Sequence, residues 1–233
     1  QNTRYDACMD LAENLRSIRD RIRRACDRAG RDPETVRLIA ASKTVAPDVL
    51  QGLSAFGCAD FGENRIQEAL PKIEALTGLP LTWHFIGRLQ RNKAKFVPGR
   101  FTWVHSVDSV ELAEELDHRA ASAGARIRCL VEVNLSGEPQ KGGISPSGLD
   151  PLLQKAPFLT HLSFEGLMTV PPLSADPMDL KRLFSDTREL ASRRGLKELS
   201  MGMSGDFEAA IEEGATMIRI GAALFGKRPP VPR

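Results

Sequence analysis

The sequence is short of cysteine, of net charge and of long apolar runs, and each shortage excludes a class of protein. Its four cysteines form no CxxC pair and no short disulfide pattern, which is typical of free thiols in a reducing compartment, so we expect a cytoplasmic protein. The formal net charge of +2 provides no general attraction to nucleic acid or to an anionic membrane. No apolar run approaches the roughly 20 residues that span a bilayer, and the first residues lack the apolar core of a signal peptide.

Motifs for metal binding and nucleotide binding are absent as well. His84 and His105 fall in predicted strands without an HExxH pattern or a paired Cys-His pattern, so no metal site is predicted. We interpret both as hydrogen-bonding residues of the core or the rim. The glycine-rich segment 137–148 lacks the GxxxxGK[ST] spacing of a phosphate-binding P-loop, and we interpret it as a mobile lid beside a binding site.

A long amphipathic helix is predicted over about residues 4–29. Its apolar residues recur at alternating spacings of three and four, which places one stripe on a helix face: Cys8, Leu11, Leu15, Ile18, Ile22 and Ala25. Gly30 and Pro33 end this helix. Packing against the chain's own domain is the preferred interpretation of the stripe, and a dimer seam is the alternative.

After this helix the chain alternates short apolar or β-branched runs with helical stretches, the signature of βαβ units and a parallel sheet. Eight strands are predicted, over residues 36–42, 59–62, 82–87, 101–106, 128–134, 164–169, 198–203 and 217–221. The helices predicted between them cover 47–56, 64–76, 110–123, 178–194 and 207–213.

Eight strands with interleaved helices in about 200 residues meet the requirement of a closed (β/α)8 TIM barrel. With 42% apolar and 27% charged residues, the composition is that of an ordinary globular protein. We therefore predict an α/β protein in which residues 1–233 form one barrel domain preceded by the extra N-terminal helix. Two Pro-, Gly- and Ser-rich segments, 136–148 and 171–177, directly follow predicted strands and are assigned to loops of the active face.

Three features at predicted strand ends suggest chemistry. Lys43 follows the first strand, where burial would favour a neutral amine able to attack an aldehyde. Small residues after strands seven and eight, around Ser204 and Gly221, open helices whose backbone N–H groups suit a phosphate. Arg219 lies inside the last strand and needs a partner, either a core carboxylate such as Glu132 or Glu165 or the lone pair of a ring nitrogen.

An amine, a phosphate cradle and an arginine match the aldehyde, phosphate and pyridine nitrogen of pyridoxal 5′-phosphate. On these residues alone a phosphorylated sugar would fit a lysine barrel too. At these positions, however, the sequence resembles the pyridoxal-phosphate homeostasis protein family, relatives of the alanine racemase N-terminal barrel. The resemblance covers nearly the whole chain, in the stretches LIAASKT, FGENRIQE, WHFIGRLQRNK, HSVDS, VEVNLSGEPQKGG, FEGLMTVPP and ELSMGMSGDFEAAIEEGATMIRIGAALFGKRP.

The resemblance implies a fold of the alanine racemase N-terminal type (pyridoxal-phosphate fold type III) and a role for several residues. Lys43 would form the internal aldimine, and Arg219 would face the pyridine nitrogen. Phosphate would be bound by Ser204, Gly221 and Ala222, while Asn64 and Met203 would line the pocket. Many relatives carry Ser or Thr where this chain has Ala222, which offers a backbone N–H but no hydroxyl, so we expect a slightly weaker hold on phosphate.

The resemblance also implies a carrier or regulator that acts in pyridoxal-phosphate homeostasis and in amino-acid and keto-acid balance, without robust catalysis. Such a protein would be a monomer that serves pyridoxal-phosphate-dependent apoenzymes. An arginine at the ring nitrogen stays protonated and keeps the pyridine unprotonated, so the cofactor would be a poor electron sink. The alternatives are an amino-acid racemase of low activity, which needs a second acid or base that racemases draw from an additional domain, and an aldolase-like barrel that binds a sugar phosphate.

Overall fold

The computed structural model describes residues 2–138, 141–172 and 175–226, with side chains from residue 10 onward. Its eight parallel strands form a closed barrel in sequence order, β1 to β8, in which β8 pairs with β1. The strands are Arg37–Ala41, Asp60–Glu63, Thr82–Phe85, Trp103–Val107, Ile127–Glu132, Leu162–Met168, Glu198–Ser200 and Met217–Ile220. All eight predicted strands are present, and the predicted barrel is confirmed.

Helices follow most of the strands and form the outer layer. They are α1 (Asn2–Ala29), α2 (Pro47–Ala55), α3 (Ile66–Ala75), α4 (Val110–Ser122), α5 (Pro146–Lys155), α6 (Pro177–Ser192), α7 (Phe207–Glu212) and α8 (Ala222–Phe225), with short 3-10 helices at Pro33–Thr35, Arg91–Phe96 and Ala156–Phe158. Among the described helices, none combines the length and the apolar character that crossing a bilayer requires.

The apolar stripe of α1 packs against the barrel of the same chain, so the preferred interpretation of that stripe is confirmed. Leu15, Ile18 and Ala25 are buried. Hydrogen bonds fix the helix to the last two βα units: the Asn14 Nδ2 donates to the Leu224 carbonyl at 3.1 Å, and the Arg21 guanidinium pairs with Glu208 at 2.9 Å. The side chain of Cys8, also assigned to the stripe, lies outside the described residues.

Most element boundaries differ from the prediction by one or two residues, and two differences are larger. The helix α5 was missed because Gly148 and Pro151 interrupt its periodicity, although Pro146 occupies the first turn and Leu149 faces the core. Strand β7 ends at Ser200 instead of 203, since Gly202 has a φ of +93° and turns the chain out of the sheet. Both predicted active-face loops do follow strands, although residues 139–140 and 173–174 within them lie outside the described part of the chain.

Side chains fill the barrel interior. One layer is apolar and buried: Ile39, Trp103, Leu130, Met168 and Met217. The His84 ring stacks on the Trp103 ring at 5.9 Å between centroids and lies within the same interior. The barrel is therefore a packed core, and ligand groups are confined to the carboxyl ends of the strands.

Candidate functional site

The chain makes a tight turn directly after β1, and Lys43 lies in it. The Val45 N–H donates to the Ser42 carbonyl at 3.0 Å, which makes Lys43 and Thr44 the two central residues of the turn. Thr44 has a φ of +67° and is the single non-glycine residue with positive φ in the described part of the chain. A β-branched residue in this conformation is strained, and such strain is concentrated at functional sites. The Lys43 side chain is half-buried.

A buried ion pair holds this turn. The Lys72 Nζ from α3 contacts the Glu63 Oε1 at 2.8 Å, and their side chains are 9% and 0% exposed. The same ammonium group donates to the Ser42 carbonyl at 2.7 Å, and the Ser42 hydroxyl donates to the Glu63 Oε1 at 2.6 Å. The residue before Lys43 is thus bound through both its backbone and its side chain. Sequence reasoning missed Lys72 and Glu63, because α3 and β2 bring them together only in three dimensions.

Backbone N–H groups converge on one oxygen at the ends of β7 and β8. The Ser204 Oγ accepts hydrogen bonds from the Gly221 N–H at 3.3 Å and from the Ala223 N–H at 3.2 Å. Ala222, between these two donors, is exposed at the start of α8. The structure therefore brings together the three residues predicted to bind phosphate, with two backbone donors aimed at a single oxygen position.

Met203 is half-buried and opens the turn that carries Ser204. Its N–H donates to the Asp206 Oδ1 at 2.5 Å, and its carbonyl accepts from the Phe207 N–H at 2.9 Å. Burial raises the pKa of Asp206, although the Met203 N–H and the nearby Arg219 act in the opposite direction. The side chain of Asp206 thus fixes the turn between β7 and α7.

Arg219 is buried inside the barrel and is held by one oxygen atom of β7 and one of the residue that follows β6. Its Nη1 donates to the Ser200 Oγ at 2.7 Å, and its Nη2 donates to the Thr169 carbonyl at 3.0 Å. Burial lowers the pKa of Arg219 to about 10, with partial compensation from the negative charges of Glu132 and Asp206. The guanidinium therefore remains a cation at neutral pH.

The carboxylate partners predicted for Arg219 need correction. Among the described residues no carboxylate lies within 4 Å of its guanidinium, and Glu132 attracts it only at longer range. Glu165 is not in the core: its side chain is 36% exposed and lies 3.9 Å from Arg128. Glu132 itself is buried, and burial together with Asp108 raises its pKa. Ser200 and the Thr169 carbonyl had not been recognised as partners, because cross-strand neighbours carry no signal in the order of the sequence.

The lysine turn and the backbone cradle lie at adjacent strand ends. In the β1–β8 ladder, Ala40 is level with Ile220, so Ala41 and Gly221 continue side by side. A Cβ placed on Gly221 would lie 3.6 Å from the Ala41 Cβ, which shows how closely the ends of β1 and β8 approach each other. Lys43, two residues beyond Ala41, and the cradle therefore open on the same face of the barrel.

Asn64 lies one strand further along, beside a cavity of about 790 Å³ that Arg88 and Asp108 also line. Its Oδ1 is buried and has no hydrogen-bond partner among the described residues. The backbone of Asn64 can lie here only because residue 87 is glycine: a Cβ on Gly87 would lie 2.3 Å from the Asn64 carbonyl oxygen. The other predicted site residues do not line this cavity, so the structure does not bring Asn64 into one pocket with Lys43 and the cradle.

The two interior histidines are buried and hydrogen-bonded, as predicted. The His84 Nδ1 lies 3.0 Å from the His105 Nε2, and the His105 Nδ1 lies 2.8 Å from the Ser200 Oγ. Within the described part of the chain no group of three or more His, Cys, Asp or Glu side chains could hold a metal ion.

Comparison with known proteins identifies the family to which this chain belongs. The model of the alanine racemase N-terminal domain matches residues 14–229. The pyridoxal phosphate homeostasis protein of Aquifex aeolicus is 45% identical over 94% of this chain and 99% of its own length. The structure of PipY of Synechococcus elongatus PCC7942 with PLP bound is 40% identical, with a TM-score of 0.82 over 93% of this chain and 100% of that chain.

A more distant likeness concerns the fold alone. Alanine racemase from Streptomyces coelicolor A3(2) is 20% identical, with a TM-score of 0.74, and the match covers 95% of this chain and 59% of that enzyme. The relatives above 30% identity, in contrast, match over nearly their whole length. The chain therefore belongs to the alanine racemase N-terminal domain family and, within it, to the pyridoxal phosphate homeostasis proteins.

Proposed function

We propose that this chain binds pyridoxal 5′-phosphate covalently through Lys43 and acts as a carrier or regulator in pyridoxal-phosphate homeostasis. When bound, the cofactor supplies an aldehyde with which a lysine amine condenses, with loss of water. The observation that carries the proposal is the placement of the Lys43 turn beside the Ser204 cradle at the adjacent ends of β1 and β8. The names of the relatives, and the PLP bound to PipY, support the same ligand.

The site fits the three polar groups of this ligand. The backbone N–H groups of Gly221 and Ala223 already converge on an oxygen, the Ser204 Oγ, and would serve a phosphate oxygen together with the Ala222 N–H. Arg219 would donate to the ring nitrogen, since Ser200 and Thr169 hold its guanidinium in the interior below the cradle. The Oδ1 of Asn64, for which the described part of the chain offers no hydrogen-bond partner, and the side chain of Met203 would line the pocket.

We extend the proposal to the whole chain as one barrel domain, monomeric and cytoplasmic, that passes the cofactor to pyridoxal-phosphate-dependent apoenzymes. The described cysteines, Cys26, Cys58 and Cys129, are free and buried, which supports a reducing compartment. Burial raises the pKa of the Cys58 thiol to about 12, so this thiol is unreactive toward an aldehyde. Size-exclusion chromatography with light scattering tests the monomer.

The decisive experiment compares Lys43→Ala with the exposed control Lys155→Ala. After incubation with pyridoxal 5′-phosphate, the native protein and the control should be yellow, and borohydride reduction should place one cofactor mass on Lys43. The Lys43→Ala protein should stay colourless. Retention of the visible band in Lys43→Ala, or a label on another lysine in the native protein, would overturn the proposal. A label with the mass of a sugar phosphate would indicate the aldolase-like alternative.

Exchange of the α-hydrogen with solvent distinguishes a racemase from a carrier. In deuterium oxide, a carrier should incorporate no deuterium into the α-carbon of L-amino acids beyond the level that free cofactor gives. Incorporation that depends on Lys43 would identify the chain as an enzyme.

A further inference from the structure

A continuous chain of hydrogen bonds crosses the barrel interior and ends on Arg219. It starts at the Asp60 Oδ1, at the amino end of β2, which lies 2.8 Å from the His84 Nε2. His84 contacts His105 at 3.0 Å, His105 contacts the Ser200 Oγ at 2.8 Å, and Ser200 accepts from Arg219 at 2.7 Å. Strands β2, β3, β4, β7 and β8 each contribute one member of this chain, which we call the histidine relay.

The two ends of the relay determine the direction of every bond in it. A guanidinium has donors only, so Ser200 accepts from Arg219. A carboxylate has acceptors only, so the His84 Nε2 carries the hydrogen and donates to Asp60. With both imidazoles neutral, the His84 Nδ1 then accepts from the His105 Nε2, and the His105 Nδ1 accepts from the Ser200 hydroxyl. Both rings are Nε2–H tautomers, and every donor points toward Asp60.

The surroundings support neutral imidazoles. Burial lowers the pKa of His84 and lowers that of His105 well below its ordinary value. The positive charges of Arg37 and Arg219 add to this effect at His105. If His105 instead donated from Nδ1, the Ser200 hydroxyl would face two donors, Arg219 and His105, and its own hydrogen would lose its acceptor in the relay.

We infer that His84 and His105 are positioning residues, which keep Ser200 oriented as an acceptor for Arg219 and so hold its guanidinium toward the ligand ring. This inference rests on the proposed function only for the identity of the ligand. Ser200 can point its lone pair at Arg219 because its hydrogen is taken by His105, and His105 accepts that hydrogen because its own is taken by His84. The relay, which begins at the amino end of the barrel, thus fixes the direction of the Arg219 guanidinium.

Nitrogen-15 NMR of the histidine rings tests the relay in the native protein, with and without added pyridoxal 5′-phosphate. His84 and His105 should both give the pattern of the Nε2–H tautomer, and the exposed His118 should not be locked in one form. An Nδ1–H tautomer or an imidazolium at either buried position at neutral pH would overturn the inference.

The effect on Arg219 is tested by two substitutions of His105. His105→Leu removes the acceptor for Ser200, whereas His105→Asn offers an amide oxygen near the position of the imidazole Nδ1. In the native protein the Nη protons of Arg219 should give separate resonances, because two hydrogen bonds hinder rotation of the guanidinium. They should merge in His105→Leu, and His105→Asn should restore the separation. This readout does not need the cofactor, so it distinguishes failure of the relay from failure of the proposed function.

The cofactor gives the second readout. His105→Leu should weaken binding of pyridoxal 5′-phosphate about tenfold and move its absorbance maximum, and His105→Asn should recover most of both. Thermal unfolding of each variant identifies loss of fold. A folded His105→Leu variant with native Arg219 resonances and a native cofactor spectrum would show that the histidines serve only to pack the core. That result would overturn the inference.

Discussion

The two halves of the candidate site depend on different kinds of chemical group. On the β1–β2 side, the Lys43 turn depends on side chains: a buried ion pair between Lys72 and Glu63, and a threonine at a φ of +67°. On the β7–β8 side, the cradle depends on backbone N–H groups that meet at the Ser204 hydroxyl. In the amine half, the Lys43 turn therefore depends on a buried ion pair and a strained residue, whereas in the phosphate half the cradle depends on backbone donors, with the buried Arg219 beneath it.

This difference predicts unequal tolerance to substitution. A backbone N–H belongs to every residue except proline, so the phosphate half should tolerate substitution at a position such as Ala222. When a buried carboxylate loses its cationic partner, no backbone group can replace the lost positive charge. Function and stability should therefore respond strongly to changes near Lys43 and weakly to changes near Gly221.

The largest effect is expected from Lys72→Met. It leaves the Glu63 carboxylate buried beside a methionine, and removing one member of a buried pair costs about 3–5 kcal/mol in the free energy of unfolding. Urea denaturation measures this loss. The double variant Glu63→Gln with Lys72→Met should regain part of it, because the uncompensated charge is then gone. A loss below about 1 kcal/mol in the single variant, the range of an exposed pair, would remove the contrast between the two halves.

The pH dependence of stability probes the interior beneath both halves. The pKa values of His84 and His105 are lowered in the folded protein, so below about pH 6.5 the unfolded chain binds more protons. The free energy of unfolding should therefore be level above this pH and fall below it, by up to about 1.4 kcal/mol per pH unit for each histidine. The groups that face the two rings are Asp60, Arg37, Ser200 and Arg219.

Denaturation at a series of pH values measures this slope, and His118→Gln is the matched control. His118 is exposed, so its loss should leave the slope unchanged. Stability that stays constant from pH 7 to about pH 5 would mean that the buried rings take up protons without unfolding, contrary to the relay.

The same contrast explains what the sequence could predict. Lys43, Ser204 and Gly221 were predicted because strand periodicity places them after strand ends, and in a barrel all carboxyl ends share one face. Arg219 was predicted because a charge inside a strand of the barrel needs a partner. The supporting residues were not found, since Lys72 reaches Glu63 and Arg219 reaches Ser200 only across separate elements. Helix α5 was missed for a local reason, because Gly148 and Pro151 break its pattern. Periodicity thus locates the residues proposed to meet a ligand, while their supporting partners depend on the closed barrel.

A smaller effect is expected from Thr44→Asn, which acts on strain in the amine half. Asparagine adopts positive φ more readily than a β-branched residue, so the substitution should raise the free energy of unfolding by about 1 kcal/mol. For a chain of this size, that corresponds to an increase of roughly 2–4 °C in the melting temperature. Thr77→Asn, at an exposed position with negative φ, should give no gain. A lower melting temperature for Thr44→Asn would show that the bond from the Thr44 hydroxyl to the Lys43 carbonyl outweighs the strain.

The smallest effect is expected in the phosphate half, from Ala222→Ser. The new hydroxyl lies between two backbone donors at an exposed position, and one added hydrogen bond to an anion should tighten binding of pyridoxal 5′-phosphate about fivefold. Fluorescence titration measures the dissociation constant, with Ala121→Ser on the outer helix α4 as the control that should not change it. Tighter binding limited to position 222 would locate the phosphate at this cradle, because a hydroxyl can act only over hydrogen-bond distance. If the affinity is unchanged while Lys43 still takes up the label, the anion must lie elsewhere on the barrel face, and the division of the site into two halves would fail.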